Sequence, residues 1–169
     1  GKTVLVVGGS SGIGNGIARA FLDRGASVHV WGTRASAADY AGEAGSDMTG
    51  MHYTRVDVSR PEEVEAPPIA FSELDVLVLC QGMVIYSRGE FEMSGFEKVV
   101  DVNLNSMMSC SLKFQKMLGR SRGSLIFISS TAAFRTTFGN PAYNASKAAI
   151  LGLTRSLAQA WIGQGISVN

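Results

Sequence analysis

Apolar runs of strand length alternate with stretches of helical spacing along the whole chain. That alternation predicts a parallel sheet covered by helices on both faces. Thr3–Val7 reads as a first strand, followed by a glycine-rich turn and a helix from about Ile13 to Arg24 that Gly25 stops. Ser27–Trp31 is the next strand, a short helix is expected around Ala35–Ala44, and a third strand at His52–Val56. Pro61–Phe71 begins as a helix and then meets Pro67-Pro68, which cannot continue one. Asp75–Leu79 is almost continuously apolar and reads as a fourth strand. Phe96, Val99, Val100, Asn103, Leu104, Met107 and Met108 recur at helical spacing, which predicts one long helix to about Leu118. Ser124–Ser129 follows as the fifth strand, about Tyr143–Trp161 as a helix, and Gly165–Asn169 as the start of a sixth strand. The expected class is α/β, a doubly wound parallel sheet in a single domain over residues 1–169.

Composition narrows the partners. A net charge of +1, with 17% charged and 46% hydrophobic residues, gives no reason to expect nucleic acid or an anionic membrane. No apolar run approaches the roughly 18 residues of a membrane helix. The chain opens Gly1-Lys2-Thr3 directly into a strand, without a signal-peptide pattern. Cys80 and Cys110 lie in apolar surroundings without metal-ligand spacing, as two reduced thiols in a cytoplasmic protein would. His29 and His52 fall in strand-like segments and read as core or surface histidines, so no metal is expected. In that setting the sequon Asn144-Ala145-Ser146 is idle.

The first turn carries chemistry. Gly8-Gly9-Ser10-Ser11-Gly12-Ile13-Gly14 joins a buried strand to a helix, where glycine permits close backbone approach. The free N–H groups and positive dipole end of the following helix favour an anion, and a dinucleotide pyrophosphate is the natural ligand. The rival role is a tight turn that uses glycine for sterics alone. After the second strand, in Gly32-Thr33-Arg34, Gly32 fills the position where an acidic residue would bind the adenine ribose of NAD. Arg34 can accept a 2′-phosphate, which leans toward NADP over NAD; a solvated surface arginine is the rival role. Asp57, followed by Val58, closes the third strand and either bonds the adenine amino group or caps a helix.

A second group lies toward the end. Tyr143 and Lys147 stand four residues apart in a helical stretch, so both side chains share one face. An ammonium beside a phenol favours the phenolate, and such a tyrosine exchanges a proton with an alkoxide or alcohol. Asn103 occupies a core-facing helical position, where a buried amide is structural glue or part of a site. Ser130 ends the fifth strand, and ligands bind at such strand ends.

On these residues the chain resembles the short-chain dehydrogenase/reductase family, including the 3-oxoacyl-carrier-protein reductases. The glycine turn is similar at Gly8, Gly12 and Gly14, and the catalytic set at Asn103, Ser130, Tyr143 and Lys147. The resemblance implies a Rossmann fold and an NAD(P)-dependent oxidoreductase acting on a small carbonyl or secondary alcohol. It implies Tyr143 as general acid or base, Lys147 on the phenolate and nicotinamide ribose, Ser130 on the carbonyl, and Asn103 holding a relay water. It also implies that Gly82 is retained from the cofactor wall, and that a homo-oligomer, dimer or tetramer, forms through the two long helices. Met107, Met108 and Met117 suit such a surface or ordinary core packing.

Three departures qualify the resemblance. Val7 stands where the family has threonine, and Leu79-Cys80-Gln81 replaces most of its Asn-Asn-Ala-Gly run. The family's Pro-Gly turn, substrate loop and last strand would follow Asn169, so the fold is expected to lack its C-terminal part, and these residues alone to reduce carbonyls poorly. Arg135 and Phe138 are candidates to border a substrate. The alternative is a nucleotide-binding sensor or oligomerising scaffold that keeps the fold without catalysis.

Overall fold

The computed structural model describes residues 1–66 and 69–169. Six strands form one sheet: β1 (Thr3–Val7), β2 (Ser27–Gly32), β3 (His52–Arg55), β4 (Val76–Leu79), β5 (Ser124–Phe127) and β6 (Ser167–Val168). Their order is β3-β2-β1-β4-β5-β6 and every pairing is parallel. The helices are α1 (Gly12–Leu22), α2 (Pro61–Glu65), α3 (Met93–Val100), α4 (Ser106–Ser121) and α5 (Pro141–Trp161).

Strand alternation builds two cores. On β1, Leu5 and Val7 join Leu77, Leu79, Leu125 and Phe127 beneath Phe114, Leu118, Ile150 and Trp161 of α4 and α5. Val4 and Val6 face the other way and pack with Val28, Val30 and Val78 against Ala18 of α1. A strand buried on both faces has no place for polar residues, which is why β1 and β4 read as unbroken apolar runs. The chain leaves β3 and returns beside β1 as β4, so strand order reverses between β1 and β4. Such a reversal opens a crevice at the carboxyl ends of those strands.

Two expectations change in detail. The helix expected at Ala35–Ala44 is only a single 3₁₀ turn, Ala37–Tyr40. Gly42, Gly45 and Gly50 all adopt positive φ, a backbone that helices reject, so the segment cannot propagate beyond one turn. It lies along α1 instead: the Gly12 amide donates to the Gly45 carbonyl at 2.8 Å, and Asn15 Nδ2 to the Asp47 carbonyl at 2.9 Å. The long helix predicted to Leu118 is divided, with a π-helical turn at Asp101–Asn105 between α3 and α4. Helical periodicity does not reveal one wide turn within a continuous helix. The predicted break at Pro67-Pro68 lies outside the described residues.

The histidines behave as packing residues. His29 is buried and stacks on His52 at 4.7 Å between ring centroids, with Phe71 tilted against it at 4.6 Å. Burial, reinforced by His52, pushes His29 below the ordinary histidine value. Cys80 and Cys110 are free thiols, and burial pushes the Cys110 thiol up to about 12. Met107 is fully buried in the core, which Met108 and Met117 also pack against. Among the described residues no helix is long and apolar enough to cross a membrane, and no cluster of side chains is arranged to hold a metal.

Candidate active site

A cleft of about 680 Å³ opens at the carboxyl ends of β1 and β4. Of the residues expected to bind a cofactor, Gly8, Ser10, Ser11, Ile13, Gly14, Thr33, Asp57, Val58, Gly82, Tyr143 and Lys147 line it. Gly12 and Arg34 do not, and neither do Asn103, Ser130, Arg135 or Phe138; Phe138 is 97% exposed.

The glycine turn is built by close backbone approach. Gly8 has φ +73°, and a Cβ there would lie 2.8 Å from Gln81 Cα; one on Gly14 would lie 2.1 Å from the Gly8 carbonyl oxygen. These positions therefore need glycine for the turn itself. At Gly32 a Cβ would come within 2.8 Å of Ser10 Oγ and 3.0 Å of the Tyr40 hydroxyl. The place where an acidic ribose ligand would project is thus filled by Ser10 and Tyr40.

The cleft suits a dinucleotide on three observations. Among the described residues no protein acceptor takes the Ile13 or Gly14 amide, both at the open N-terminal end of α1. Those N–H groups and the helix dipole face a cleft wall. Gln81 Nε2 donates to Ser106 Oγ at 3.1 Å, while its buried Oε1 has no donor among the described residues. Gln81 itself is among the residues that line the cleft.

Arg34 is engaged elsewhere. Its guanidinium forks onto Glu43 at 2.5 and 3.1 Å, donates to the Asp39 carbonyl at 2.5 Å, and lies 4.3 Å over the Tyr40 ring. The Glu43 carboxylate raises the Arg34 pKa. Asp57 lines the cleft and does not cap α2, whose N-cap is Arg60; its Oδ1 accepts from the Ser59 amide and hydroxyl at 3.0 and 2.7 Å. Those bonds hold its carboxyl below the usual range.

At the other end, α5 presents Tyr143 and Lys147 one turn apart, with Lys147 Nζ 5.7 Å from the Tyr143 ring centroid. Lys147 is 95% buried, at 5% exposure, and Nζ donates to the Ile128 carbonyl at 2.9 Å. Burial lowers its pKa, opposed by Cys80. Ser130 Oγ accepts from the Ala132 amide at 3.1 Å and caps a short 3₁₀ turn, Thr131–Ala133. Among the described residues nothing takes the Ser130 hydroxyl proton. Ser129, beside it, lines the cleft and donates to the Lys147 carbonyl at 2.9 Å.

Asn103 is fully buried in the π-helical turn. Oδ1 accepts from the Met83 amide at 2.7 Å, and Nδ2 donates to the Met83 carbonyl at 2.9 Å and to Ser146 Oγ at 3.2 Å. Ser146 in turn donates to the Tyr143 carbonyl at 2.9 Å. One amide therefore ties the chain after β4 to α5 across the cleft floor. Asn103→Ala would strand Met83 and Ser146 and is expected to cost about 3 kcal/mol. A fall in the urea midpoint checks this.

Sequence reading missed Ser59, Met83, Val84, Lys98, Val102, Ile128 and Ser129 as cleft residues. Ser129 was within reach, since it shares the end of β5 with Ser130. The Leu79–Gly82 run pointed to the wall but gave no reason for Gln81 to face Ser106. The Asn144 sequon is occupied by structure: Nδ2 donates to the Ala132 and Arg135 carbonyls at 3.2 and 2.7 Å, fastening the loop above α5.

A doubly wound sheet, a glycine turn at its reversal point and a Tyr-Lys face on the same cleft define a nucleotide-dependent oxidoreductase class. The family model for short chain dehydrogenases matches residues 2–169, and the chain belongs to that family. It is 35% identical to the 2-dehydro-3-deoxy-D-gluconate 5-dehydrogenase of Bacillus subtilis, covering 100% of this chain and 68% of that one. It is 34% identical to a 3-oxoacyl-(acyl-carrier-protein) reductase of Chlamydia muridarum, covering 99% and 71%. Among solved structures, the RhlG/NADP active-site complex of Pseudomonas aeruginosa matches with a TM-score of 0.84 at 32% identity, covering 100% and 69%.

Proposed function

We propose that this chain reduces a small carbonyl compound, or oxidises the matching secondary alcohol, with NADP or NAD. The observation that carries the reading is that Tyr143 and Lys147 line the same cleft as Gly8, Ile13 and Gly14. Bound in that cleft, a nicotinamide ring would give or take the hydride. The chain's own residues do the rest. Ser130 hydrogen-bonds the carbonyl oxygen through its hydroxyl and keeps its proton, and Tyr143 transfers the one proton that oxygen needs as charge develops on it. Lys147 supplies positive charge beside the phenolate that remains. The amides of Ile13 and Gly14 hold the pyrophosphate. Asn103 fixes the floor on which these groups stand.

The relatives that match are named for sugar-acid, acyl-carrier-protein-linked, hydroxysteroid and polyol substrates, which supports a carbonyl or alcohol substrate without choosing one. A homo-oligomer through α4 and α5 is part of the reading, supported by Leu112 of α4, which is 53% exposed. Fluorescence titration with NADH and NADPH tests the proposal first: a chain that binds neither would rule it out. Coenzyme preference follows from Arg34. A 2′-phosphate must compete with Glu43 for the guanidinium, and exposed ion pairs of this kind hold only weakly. Glu43→Gln is therefore expected to tighten NADPH by about fivefold and leave NADH unchanged. Equal effects on both coenzymes would remove Arg34 from the phosphate site.

A further inference from the structure

Glu90 is the most deeply buried carboxylate of the described residues, 1% exposed, and it has no role in the cleft wall. It sits in a 3₁₀ turn, Gly89–Phe91. Among the described residues no cation lies within ion-pair distance of it. Its oxygens face N–H donors instead: Oε1 accepts from the Ile85 amide at 3.1 Å and from Asn140 Nδ2 at 3.3 Å, and Oε2 accepts from the Tyr143 amide at 2.9 Å. Three N–H donors around one group suit an acceptor-only carboxylate.

The position of those donors matters. Asn140 is the N-cap of α5, Pro141 its first residue, and Tyr143 its third. The Asn140 side chain makes no cap bond to its own helix; it donates to Glu90 and, at 3.2 Å, to the Ile85 carbonyl. The N–H of Tyr143 is one of the orphan donors of the helix start. A carboxylate from 53 residues upstream satisfies it, where the helix dipole also favours negative charge.

The turn that delivers Glu90 is forced into place. Ser87 and Arg88 have φ of 56° and 61°, two consecutive non-glycine residues in left-handed backbone. That conformation is costly and persists only where the surroundings over-determine it. Gly95 of α3 lets the turn approach: a Cβ there would lie 2.1 Å from the Gly89 carbonyl oxygen.

We propose that Glu90 is a positioning residue for Tyr143. Its carboxylate fastens the first turn of α5 to the segment after β4, and so fixes the height of the phenol over the cleft. The inference rests on the reading of Tyr143 as proton donor, and its test separates the two. Glu90→Ala and Glu90→Gln are compared with wild type in the full chain by three measurements. These are amide hydrogen exchange over residues 141–147, NADPH affinity, and kcat for reduction of ethyl acetoacetate as a simple carbonyl probe.

The alanine variant is expected to exchange the Tyr143 amide about tenfold faster or more. It should lose about tenfold in kcat per folded molecule, with NADPH affinity unchanged, because Glu90 does not touch the cleft. Glu90→Gln keeps one acceptor and should fall between the two; it carries the test if the alanine variant does not fold. A folded variant with wild-type kcat would overturn the proposal. So would a loss of kcat that runs in parallel with lost NADPH affinity, since that marks general loosening of the fold. Faster exchange beside a wild type without turnover supports the anchoring and overturns the reading of the site.

Discussion

Tyr143→Phe is expected to bind NADH and NADPH as the wild type does, and to reduce a carbonyl probe about 10³-fold more slowly. The substitution removes one oxygen and leaves the ring, the helix and the cleft as they are. Lys147 keeps its bond to the Ile128 carbonyl, and Ser146 keeps its bond to the Tyr143 backbone. What disappears is the hydroxyl proton that the proposal delivers to the developing alkoxide, and Ser130 cannot replace it while polarising the same oxygen. An effect on kcat with coenzyme binding intact is the signature of a group that acts in the transition state. A nucleotide-binding sensor or an oligomerising scaffold would be indifferent to the change. Wild-type turnover in the variant would remove Tyr143 as the proton donor, whereas coenzyme binding without turnover in either protein would leave those two readings standing.

Lys147→Met is expected to lower turnover by about 10²-fold or more while leaving thermal stability equal or higher. Lys147 is a buried ammonium with one protein hydrogen bond, to Ile128, and burial lowers its pKa from the ordinary 10.5. Holding it charged costs the fold free energy, as any buried ion does. Methionine matches its length without the charge, and Ile128, whose carbonyl loses that bond, is a residue of the open cleft wall. A gain of about 1 kcal/mol would raise the melting midpoint by about 2–4 °C.

The pH dependence carries the sign. Because the folded lysine releases its proton below 10.5, the unfolded chain binds more protons over the interval up to that value. Wild-type stability therefore gains from this group as pH rises toward 10.5, and the contribution is absent in Lys147→Met. Calorimetry of both proteins across that range checks it. A variant that melts well below the wild type at neutral pH would show that the lysine is structural cement.

The strand pattern was legible because a sheet buried on both faces tolerates only apolar residues; β1 and β4 announce themselves in this way. The glycine turn was legible for a related reason, since Gly8 and Gly14 stand where any side chain would meet backbone. The segment 35–50 was not. Its alanines suggest a helix, and only the three glycines at positive φ and the bonds to α1 make it a covering loop. The π-helical turn was hidden too, because it leaves the apolar face of the surrounding helix unchanged.

Arg34 shows the limit of position alone. Its place two residues after Gly32 pointed to a phosphate, but its side chain answers to Glu43 and Tyr40, nine and six residues further on. Glu90 shows the converse, a residue with no local signal whose meaning lies wholly in a partner 53 residues away.

By itself the sequence determined the layered α/β architecture, the nucleotide turn and the shared face of Tyr143 and Lys147, all of which follow from short-range periodicity and sterics. Tertiary structure alone decided which side chains the cleft gathers, that Asn103 clasps Met83 and Ser146, and that Arg34 is already paired. Those outcomes depend on contacts between distant segments, where burial and hydrogen-bond geometry choose among partners that spacing along the chain leaves equivalent.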